Sequence, residues 1–331
     1  MAIVGGAGFI GHHLALRLTS MGAVVHVIDG LQVNNLGYYN SRYVDDPRAG
    51  LYLQFINERL LLLRSAGATL HILDAREYGL VSNTLSAIEP DIIIHLAAIA
   101  HANRSNKDPY STFDHSMRTL ENVLDTIRSR GTQLLFFSSS MVYGDFHSSS
   151  VAEDAPCNPK GIYGALKLGA EKLVQAYGEV FGTPYTIIRP SALYGERCVS
   201  RRVGQAFIEN ALDGENLTIN GDGSDSLDFT YIDDLVSGVV ATLGNELAVN
   251  EIFNITYGNA RPINDLATTV QSRFANIKLQ YLEKDSLMPE RGTLDISKAR
   301  DVLGYAPAFP IELGMLRYID WYMELQHISS Q

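Results

Sequence analysis

Short runs of consecutive hydrophobic residues alternate with longer amphipathic segments along the first 190 residues of the chain. Unbroken apolar runs of this length are typical of strands that a parallel sheet buries on both faces, because helices cover each face. The pattern predicts strands at 2–4, 24–28, 69–73, 91–96, 133–137 and 185–188. It predicts helices at 12–21, 51–65, 78–88, 113–129 and 163–181. The fold class is therefore α/β, with a doubly wound parallel sheet of the Rossmann type.

The regular alternation ends near residue 190, and shorter elements separated by glycine and proline follow. We expect residues 1–190 to form the sheet domain and residues 191–331 to form a smaller C-terminal lobe that is interleaved with the sheet. Residues 31–50, which are rich in Asn, Gly, Tyr and Asp, are predicted to form a surface excursion after the second strand. A chain of 331 residues is long enough for both units.

The charge balance and the cysteine content exclude several classes of protein. The net charge is −11, so there is no basic excess to neutralise a nucleic-acid backbone. The two cysteines, Cys157 and Cys198, have no metal-ligand spacing, and we predict neither a metal site nor a disulfide. No segment resembles a targeting signal, and the most apolar run, Leu60–Leu63, is far shorter than the roughly 20 residues of a membrane span. The sequence predicts a soluble, cytoplasmic protein without nucleic-acid or membrane partners.

A glycine-rich turn lies between the first predicted strand and the first predicted helix. Gly5 permits a tight turn, Gly8 allows the close approach of a pyrophosphate, and Gly11 allows the helix to pack on the strand. The amino end of the helix then offers free N–H groups to a phosphate. Asp29 ends the next strand, where a carboxylate accepts hydrogen bonds from ribose hydroxyls and repels a 2′-phosphate. This arrangement predicts a dinucleotide site that prefers NAD to NADP.

Tyr163 and Lys167 lie four residues apart, on one face of a predicted helix. A lysine ammonium beside a phenol favours the phenolate, so we expect Lys167 to lower the pKa of Tyr163 from its usual value of about 10. The helix follows the strand that ends in Ser138-Ser139-Ser140, at the carboxyl edge of the sheet where such folds bind ligands. Tyr163 is therefore a candidate acid and base.

These features resemble the extended short-chain dehydrogenase/reductases, and within them the NAD-dependent nucleotide-sugar epimerase/dehydratase family that includes UDP-glucose 4-epimerase. Besides the glycine turn, the resemblance is carried by Asp29, Asp74, His95-Leu96-Ala97-Ala98, Ser138–Gly144, Tyr163 with Lys167, Arg189–Gly195, Gly221-Asp222-Gly223, Phe229–Asp234, Asp295–Ala299 and Leu303-Gly304-Tyr305. It covers nearly the whole chain. It implies that residues 1–190 bind NAD and carry a catalytic Ser-Tyr-Lys set, and that residues 191–331 bind the substrate.

The resemblance also implies a role for individual positions. Ser139 would hydrogen-bond the sugar hydroxyl that is oxidised, Tyr163 would remove its proton, and Lys167 would hold the nicotinamide ribose. The implied cofactor site consists of Gly5, Gly8, Phe9, Ile10, Gly11, Asp29, Asn35, Asp74, Ala75, Leu96, Ala97, Ala98, Ser138, Tyr163, Lys167 and Pro190. The expected substrate site consists of Ser139, Ser140, His101, Asn103, Arg197 and Arg291.

Departures from the family pattern narrow the expected activity. The 4,6-dehydratases of the family carry Asp and Glu after the catalytic Thr, and Ser140 and Met141 stand at those places in this chain. Methionine transfers no proton, which disfavours a dehydratase or a decarboxylase. We therefore predict NAD-dependent epimerisation of a nucleotide-diphosphate sugar, at C4. The alternatives are an NAD(P)H-dependent keto-sugar reductase, a sugar-nucleotide dehydratase or decarboxylase, and a non-catalytic dinucleotide-binding regulatory protein.

Two further expectations concern the substrate and the assembly. Leu227 replaces an arginine with which the family grips a sugar-nucleotide phosphate, so another group must compensate. Arg291 stands where the family often keeps a second phosphate-binding arginine. The helices at 113–129 and 163–181 resemble those that pair in dimers of the family, which implies a homodimer built through a four-helix bundle.

Overall fold

The computed structural model of the protein describes residues 1–100, 102–274, 276–284 and 288–329. Its strands are β1 (Ala2–Val4), β2 (His26–Asp29), β3 (Thr69–Ile72), β4 (Ile92–His95), β5 (Gln133–Phe137), β6 (Ser150–Val151), β7 (Tyr185–Arg189), β8 (Leu193–Tyr194), β9 (Leu217–Asn220), β10 (Ser226–Leu227), β11 (Thr230–Tyr231), β12 (Glu251–Asn254), β13 (Arg261–Pro262), β14 (Leu279–Leu282) and β15 (Thr293–Leu294). Its α-helices are α1 (Phe9–Ser20), α2 (Leu36–Asn40), α3 (Ala49–Ser65), α4 (Tyr78–Ile88), α5 (Ala102–Lys107), α6 (Pro109–Phe113), α7 (Thr119–Ile127), α8 (Gly161–Phe181), α9 (Val203–Leu212), α10 (Ile232–Thr242), α11 (Ile263–Gln271), α12 (Ser297–Leu303) and α13 (Ile311–Ser329). A π-helical turn covers Asp114–Arg118, and 3₁₀ turns cover Ser140–Val142 and Glu246–Ala248.

Seven strands in the described part of the chain form one parallel sheet, in the order β12-β7-β5-β4-β1-β2-β3. From β1 the chain runs outward to β3 on one side, and from β4 it runs outward to β12 on the other. The strand order therefore reverses between β1 and β4, and the crevice outside their carboxyl ends is where open α/β sheets bind ligands. The Rossmann-type sheet predicted from the sequence is confirmed.

The strands beyond residue 190 divide between this sheet and smaller ladders. β12 returns to the sheet, where Glu251–Asn254 pair in parallel with Thr186–Arg189 of β7. Two-stranded ladders join β8 with β11, β9 with β14, β10 with β13, and β6 with β15. The division of the chain at residue 190 stays a prediction.

Both faces of the sheet are covered, since successive side chains of a strand point to opposite faces. In β1, Ile3 packs into a cluster with residues of α1, α3 and the C-terminal lobe. Ala2 and Val4 pack on the other face, against residues of α4, α7 and α8. All three side chains are fully buried, which explains why this strand is an unbroken apolar run. Within the described residues, no helix is both long and apolar enough to cross a membrane.

The helical segment predicted near 113–129 is confirmed as far as Ile127, and it contains a π-helical turn that the sequence did not reveal. A π-helical turn at Asp114–Arg118 joins α6 to α7, so one extra residue enters this turn. Asp114 in the turn pairs with Arg76 at 2.9 Å and with Arg118 at 2.6 Å. The pair with Arg76 holds the turn against the segment that follows β3, and the pair with Arg118 lies within the turn.

The segment 31–50 is not confined to the surface, which corrects the predicted excursion. It contains the short helix α2, in which Tyr39 is buried. The Tyr39 hydroxyl donates a hydrogen bond to the carbonyl of Val199, between β8 and α9. The segment is therefore fixed to the part of the chain that follows β8.

Candidate active site

The glycine-rich turn between β1 and α1 is shaped by close backbone contacts. Gly5 has a φ of +82°, and a side-chain carbon there would lie 2.7 Å from the nitrogen of Ala97. A side-chain carbon on Gly11 would lie 2.5 Å from the Cα atom of Gly6. On Gly8, the same carbon would meet only the carbonyl oxygen of Gly5 among the described atoms, at 3.2 Å. Packing therefore requires Gly5 and Gly11, whereas Gly8 leaves the start of α1 open to a ligand.

A cavity lies at the start of α1, beside the carboxyl ends of the central strands. Eleven residues of the predicted cofactor site line it, namely Gly5, Gly8, Phe9, Ile10, Gly11, Asp29, Asp74, Ala75, Leu96, Ala97 and Ala98. Further wall residues include Gln32, Asn34, Arg59, His115, Thr119, Val199, Ser200 and Arg202. The cavity thus occupies the crevice where the strand order reverses.

Asp29 ends β2 at the edge of this cavity. One of its carboxylate oxygens accepts a hydrogen bond from the Ala7 nitrogen at 3.0 Å, and the other accepts one from the Leu31 nitrogen at 2.8 Å. Burial raises the pKa of Asp29, and these two donors and the charge of Arg59 oppose the rise. The backbone therefore fixes both oxygens in place, and each keeps a lone pair for a ribose hydroxyl.

Asp74 follows β3 on the same edge and is held by Arg76. The Arg76 guanidinium donates to its two carboxylate oxygens at distances between 2.6 and 3.1 Å. The Gln32 amide donates to it at 3.2 Å. The hydrogen bonds from Arg76 are the main reason that the pKa of Asp74 falls to about 2. Asp74 is therefore ionised at neutral pH.

Ser139 and Tyr163 meet just beyond the carboxyl end of β5. Ser139 is buried, and its hydroxyl accepts a hydrogen bond from the Met141 nitrogen at 3.2 Å. Burial raises the pKa of Tyr163, while the positive charge of Arg202 and the nearby Ser139 hydroxyl oppose this rise. The expected lowering of this pKa below its usual value is wrong for the protein in this state, because burial outweighs the charges around the phenol.

Lys167 lies one turn after Tyr163 on α8 and is also buried. Its ammonium donates a hydrogen bond to the Phe137 carbonyl, at the end of β5, at 2.6 Å. Burial lowers the pKa of Lys167 to about 8, and the Glu171 carboxylate, one turn further along the helix, opposes the fall. The structure thus brings Ser139, Tyr163 and Lys167 to the same strand end.

A buried ion pair lies next to the carboxyl ends of β5 and β7. Glu171 pairs with Arg189 of β7 at 2.7 Å, and the two side chains are 2% and 4% exposed. The Ser138 hydroxyl donates a hydrogen bond to Glu171, and Arg189 donates one to the Tyr143 hydroxyl at 2.9 Å. One carboxylate on α8 therefore fixes the ends of both β5 and β7.

Four predicted site residues have structural partners. Asn35 is 1% exposed, caps α2 through the Leu36 nitrogen at 2.9 Å, and does not line the cavity. The Ser138 hydroxyl donates its hydrogen bond to Glu171. The Ser140 nitrogen donates to the Pro190 carbonyl at 2.9 Å, which joins the loop after β5 to the loop after β7. These contacts shape the site around Ser139.

The expected substrate residues are not all brought to the site. His101 lies outside the described residues, and Asn103 lies in α5 with a side chain outside that description. Arg197 pairs with Glu58 at 3.1 Å, donates to the His12 ring at 3.1 Å, and does not line the cavity. This placement runs against the assignment of Arg197 to the substrate, because its guanidinium is used to bind the lobe to α1 and α3.

Arg202 lines the cavity but is not among the residues of the expected substrate site. Its guanidinium donates a hydrogen bond to the Ala100 carbonyl at 2.6 Å, in the segment that follows β4. Three arginines stand close together at 197, 201 and 202. Their spacing alone does not reveal which one faces the cavity.

Leu227 and Arg291 are the two positions that the family resemblance connected with a substrate phosphate. Leu227 is 8% exposed and belongs to the hydrophobic core, so it has no polar role. Arg291 is half-buried, and no hydrogen bond or ion pair joins its side chain to another residue in the described part of the chain. Burial and the charge of Arg202 lower its pKa to about 10.

The fold and the site define a dinucleotide-binding α/β protein, and comparisons with known proteins narrow this class. Residues 1–256 match the NAD dependent epimerase/dehydratase family. The chain is 33% identical over 258 residues to an uncharacterized UDP-glucose epimerase, YtcB, of Bacillus subtilis, a match that covers 76% of this chain and 80% of the relative. It is 29% identical over 340 residues to UDP-glucuronic acid decarboxylase 1 of Danio rerio, a match that covers 99% of this chain and 74% of the relative.

A solved structure is similar over almost the whole chain. It is UDP-glucuronic acid 4-epimerase of Bacillus cereus in complex with UDP-glucuronic acid and NAD, with a TM-score of 0.87 at 26% identity. The match covers 98% of this chain and 99% of that one. The protein therefore belongs to the NAD-dependent epimerase/dehydratase family. The open glycine at position 8 and the pinned Asp29 carboxylate fit a dinucleotide without a 2′-phosphate.

Proposed function

We propose that the protein epimerises a nucleotide-activated sugar at C4 through a transient 4-keto intermediate, with Tyr163 as acid and base. The observation that carries the proposal is the placement of Ser139, just after β5, together with Tyr163 and the buried Lys167 of α8, whose ammonium donates to the Phe137 carbonyl at the end of the same strand. None of the three residues is among those that line the cofactor cavity. The similarity to a UDP-sugar 4-epimerase of known structure supports the same reaction class.

NAD would be held by the start of α1 and by Asp29, and when bound it accepts a hydride and returns it. Phe9 and Ile10 line the cavity at the first turn of α1, where N–H groups have no partner within the helix. They are free to donate to a pyrophosphate. Asp29 would accept the hydroxyls of the adenosine ribose, and the ionised Asp74 would face the adenine.

Tyr163 would move one proton between its phenol oxygen and the C4 hydroxyl of the sugar. The hydroxyl of Ser139 would hydrogen-bond the same sugar oxygen and hold it within reach of the phenol. Because burial raises the pKa of Tyr163, the phenolate needs a nearby positive charge. Arg202 supplies one. Lys167, four residues further along the same helix, would supply another while its ammonium, with a pKa of about 8, is protonated.

Met141 argues against the dehydratase and decarboxylase activities found on the same fold. Its side chain is 8% exposed and follows directly on Ser139 and Ser140 at the strand end. A thioether neither gives nor accepts a proton at neutral pH, so this position supplies no second acid or base. The proposal therefore needs one acid and base, Tyr163, which is sufficient for epimerisation.

The assembly that we propose is a homodimer built through α7 and α8 in a four-helix bundle. Exposed apolar side chains on α8 and on the neighbouring α6 support it, namely Ile162, Val180, Phe181, Tyr110 and Phe113. The expected solution mass is twice that of the chain by light scattering. A monomer at micromolar concentration would contradict this part of the proposal. The cytoplasmic location stays a prediction.

The function is tested with purified protein and a panel of UDP-sugars in the absence of added cofactor. NAD is first released by acid and quantified, and product formation is then followed by NMR. The proposal predicts bound NAD and a C4 epimer from at least one UDP-sugar. In a parallel assay with added NADH or NADPH, stoichiometric consumption of the reduced cofactor would indicate a reductase, and release of CO₂ from UDP-glucuronic acid would indicate a decarboxylase. Either result would replace the proposal.

A further inference from the structure

The helix that carries Tyr163 and Lys167 begins at two residues that are poorly suited to cap it. Gly161, the first residue of α8, has a φ of +73°. In the described structure, Lys160 at the cap position has an extended backbone and forms no side-chain hydrogen bond to the helix start. The N–H groups of a first turn have no acceptor within the helix, and a lysine side chain offers none. The start of α8 therefore takes its acceptors from water or from other segments.

Asn106 of α5 supplies one such acceptor. Its side-chain oxygen accepts a hydrogen bond from the Ile162 nitrogen at 3.1 Å, from a position 56 residues earlier in the chain. The contact is close, because a side-chain carbon on Gly161 would lie 3.0 Å from the same oxygen. Asparagine is among the residues that cap helices best, since its oxygen accepts from first-turn N–H groups. Asn106 thus caps α8 at the residue next to Tyr163, although it belongs to another helix.

The residue on the other side of Tyr163 in the chain touches a second support. A side-chain carbon on Gly164 would lie 2.7 Å from the Met141 carbonyl oxygen and 2.9 Å from the Cβ atom of Pro159. Gly164 is buried, and Met141 lies two residues after Ser139. The first turn of α8 therefore packs directly against the loop that carries Ser139 at residue 164, and it is hydrogen-bonded to α5 at residue 162.

Asn106 can act as a support because a second residue anchors α5 to the rest of the fold. The Arg104 guanidinium lies 4.8 Å from the centre of the Tyr38 ring, which favours a cation–π contact. It also donates a hydrogen bond to the Asn34 side chain at 3.5 Å. Asn34 lines the cofactor cavity. The helix α5 therefore joins the wall of that cavity to the start of α8.

We propose that Asn106 is a positioning residue, which holds the first turn of α8 so that the phenol of Tyr163 stays within reach of the Ser139 hydroxyl. The inference rests on the proposed function, because it explains how that site keeps its acid and base in place. A displacement of about 1 Å caused by a residue outside the chemistry can slow a reaction about 10²-fold. Asn106 is placed to control such a displacement, since its hydrogen bond ends at the residue next to Tyr163.

The test compares Asn106→Leu, which removes the acceptor, with Asn106→Asp, which keeps it. Asn245→Leu is the matched control, because Asn245 is also half-buried and its side chain accepts a hydrogen bond from the Leu247 nitrogen at 3.0 Å, in the 3₁₀ turn between α10 and β12. With the UDP-sugar found active, Asn106→Leu is expected to lower kcat about 10-fold to 100-fold, while KM and NAD content stay within about 2-fold. The other two variants should keep kcat within about 3-fold. Loss of a cap predicts that both leucine variants melt no more than about 3 °C lower.

A second readout does not depend on turnover. In protein whose tyrosines carry ¹³C at the ring carbon that bears the hydroxyl, NMR reports the ionisation and surroundings of each phenol. The signal that is missing from Tyr163→Phe belongs to Tyr163. The inference predicts that this signal moves in Asn106→Leu and keeps its position in Asn245→Leu. If no UDP-sugar reacts but the signal moves in this way, only the proposed function is contradicted.

Several results would overturn the inference. Equal kcat values for Asn106→Leu and Asn245→Leu, or a Tyr163 signal that stays in place in both, would show that the cap does not position the phenol. A higher KM with an unchanged kcat would assign Asn106 to substrate binding, and a lower NAD content would assign it to the cofactor. A melting temperature of Asn106→Leu far below that of the control would show a general effect on the fold.

Discussion

Neutralising Glu171 is expected to lower the melting temperature of the protein and to narrow the pH range over which it turns over substrate. In Glu171→Gln, the Arg189 guanidinium stays 4% exposed but loses its only ionic partner in the described part of the chain. Removing one member of a buried ion pair costs about 3–5 kcal/mol, because the other charge stays buried without compensation. With an unfolding entropy of about 2.1 cal/mol/K per residue, this cost lowers the melting temperature of a 331-residue chain by about 4–7 °C.

The assay is scanning calorimetry of the variant beside two controls. Arg118→Gln removes an exposed pair with Asp114 within one helix turn and should cost no more than about 0.5 kcal/mol. The double variant Glu171→Leu with Arg189→Met removes both charges and should recover part of the loss. Equal melting temperatures for Glu171→Gln and Arg118→Gln would show that burying Arg189 without its ionic partner is not costly.

The same substitution is expected to change the alkaline limit of turnover. The Glu171 charge opposes the burial that lowers the pKa of Lys167 to about 8. Without this charge the pKa falls further, so the ammonium is lost at a lower pH. Under the proposed mechanism, the fall of kcat on the alkaline side then begins at a lower pH in Glu171→Gln. An unchanged pH profile would show that the protonation state of Lys167 does not limit the rate of the reaction.

Three further predictions concern single residues. Tyr163→Phe should lower turnover about 10²-fold to 10⁴-fold while the NAD content of the purified protein stays the same, and undiminished turnover would remove the phenol from the mechanism. Asp29→Asn should reduce the preference for NAD over NADP about 10-fold or more in a fluorescence titration, since one charge that repels a 2′-phosphate is lost; an unchanged ratio would place the adenosine ribose elsewhere. Gly5→Ala should unfold at a clearly lower urea concentration than Gly22→Ala. Both positions have positive φ, but the added Cβ would lie 2.7 Å from the Ala97 nitrogen at Gly5 and would meet no atom within 4 Å at Gly22; equal midpoints would show that the turn tolerates a side chain.

The sheet was predictable because parallel strands buried on both faces leave an unbroken apolar run in the sequence. Ala2–Val4 and Gln133–Phe137 have the predicted bounds in the structure. The glycine turn was also predictable from local sequence. A side chain at Gly5 or Gly11 would lie too close to neighbouring backbone atoms, so both positions require glycine. Local sequence therefore determines the half of the candidate site that binds the dinucleotide.

The substrate half was not predictable in the same way, because its residues are chosen by contacts between distant segments. Arg197 and Arg202 have the same chemistry and lie five residues apart. Arg197 forms an ion pair with Glu58 on α3, whereas Arg202 lines the cavity. Polar residues in the segment 31–50 suggested exposure, whereas Tyr39 is buried by its contact with Val199. The raised pKa of Tyr163 also depends on burial, which a spacing of four residues does not reveal.

The central claim is that hydrogen is removed from C4 of the sugar and returned to the same carbon. The most direct test uses the UDP-sugar found active in the panel, with deuterium at C4, in ordinary water and without added cofactor. Hydride transfer from C4 and back predicts that the C4 epimer, analysed by NMR and mass spectrometry, keeps the deuterium. Replacement of the label by solvent hydrogen would exclude this mechanism, because it would show that C4 is deprotonated rather than oxidised.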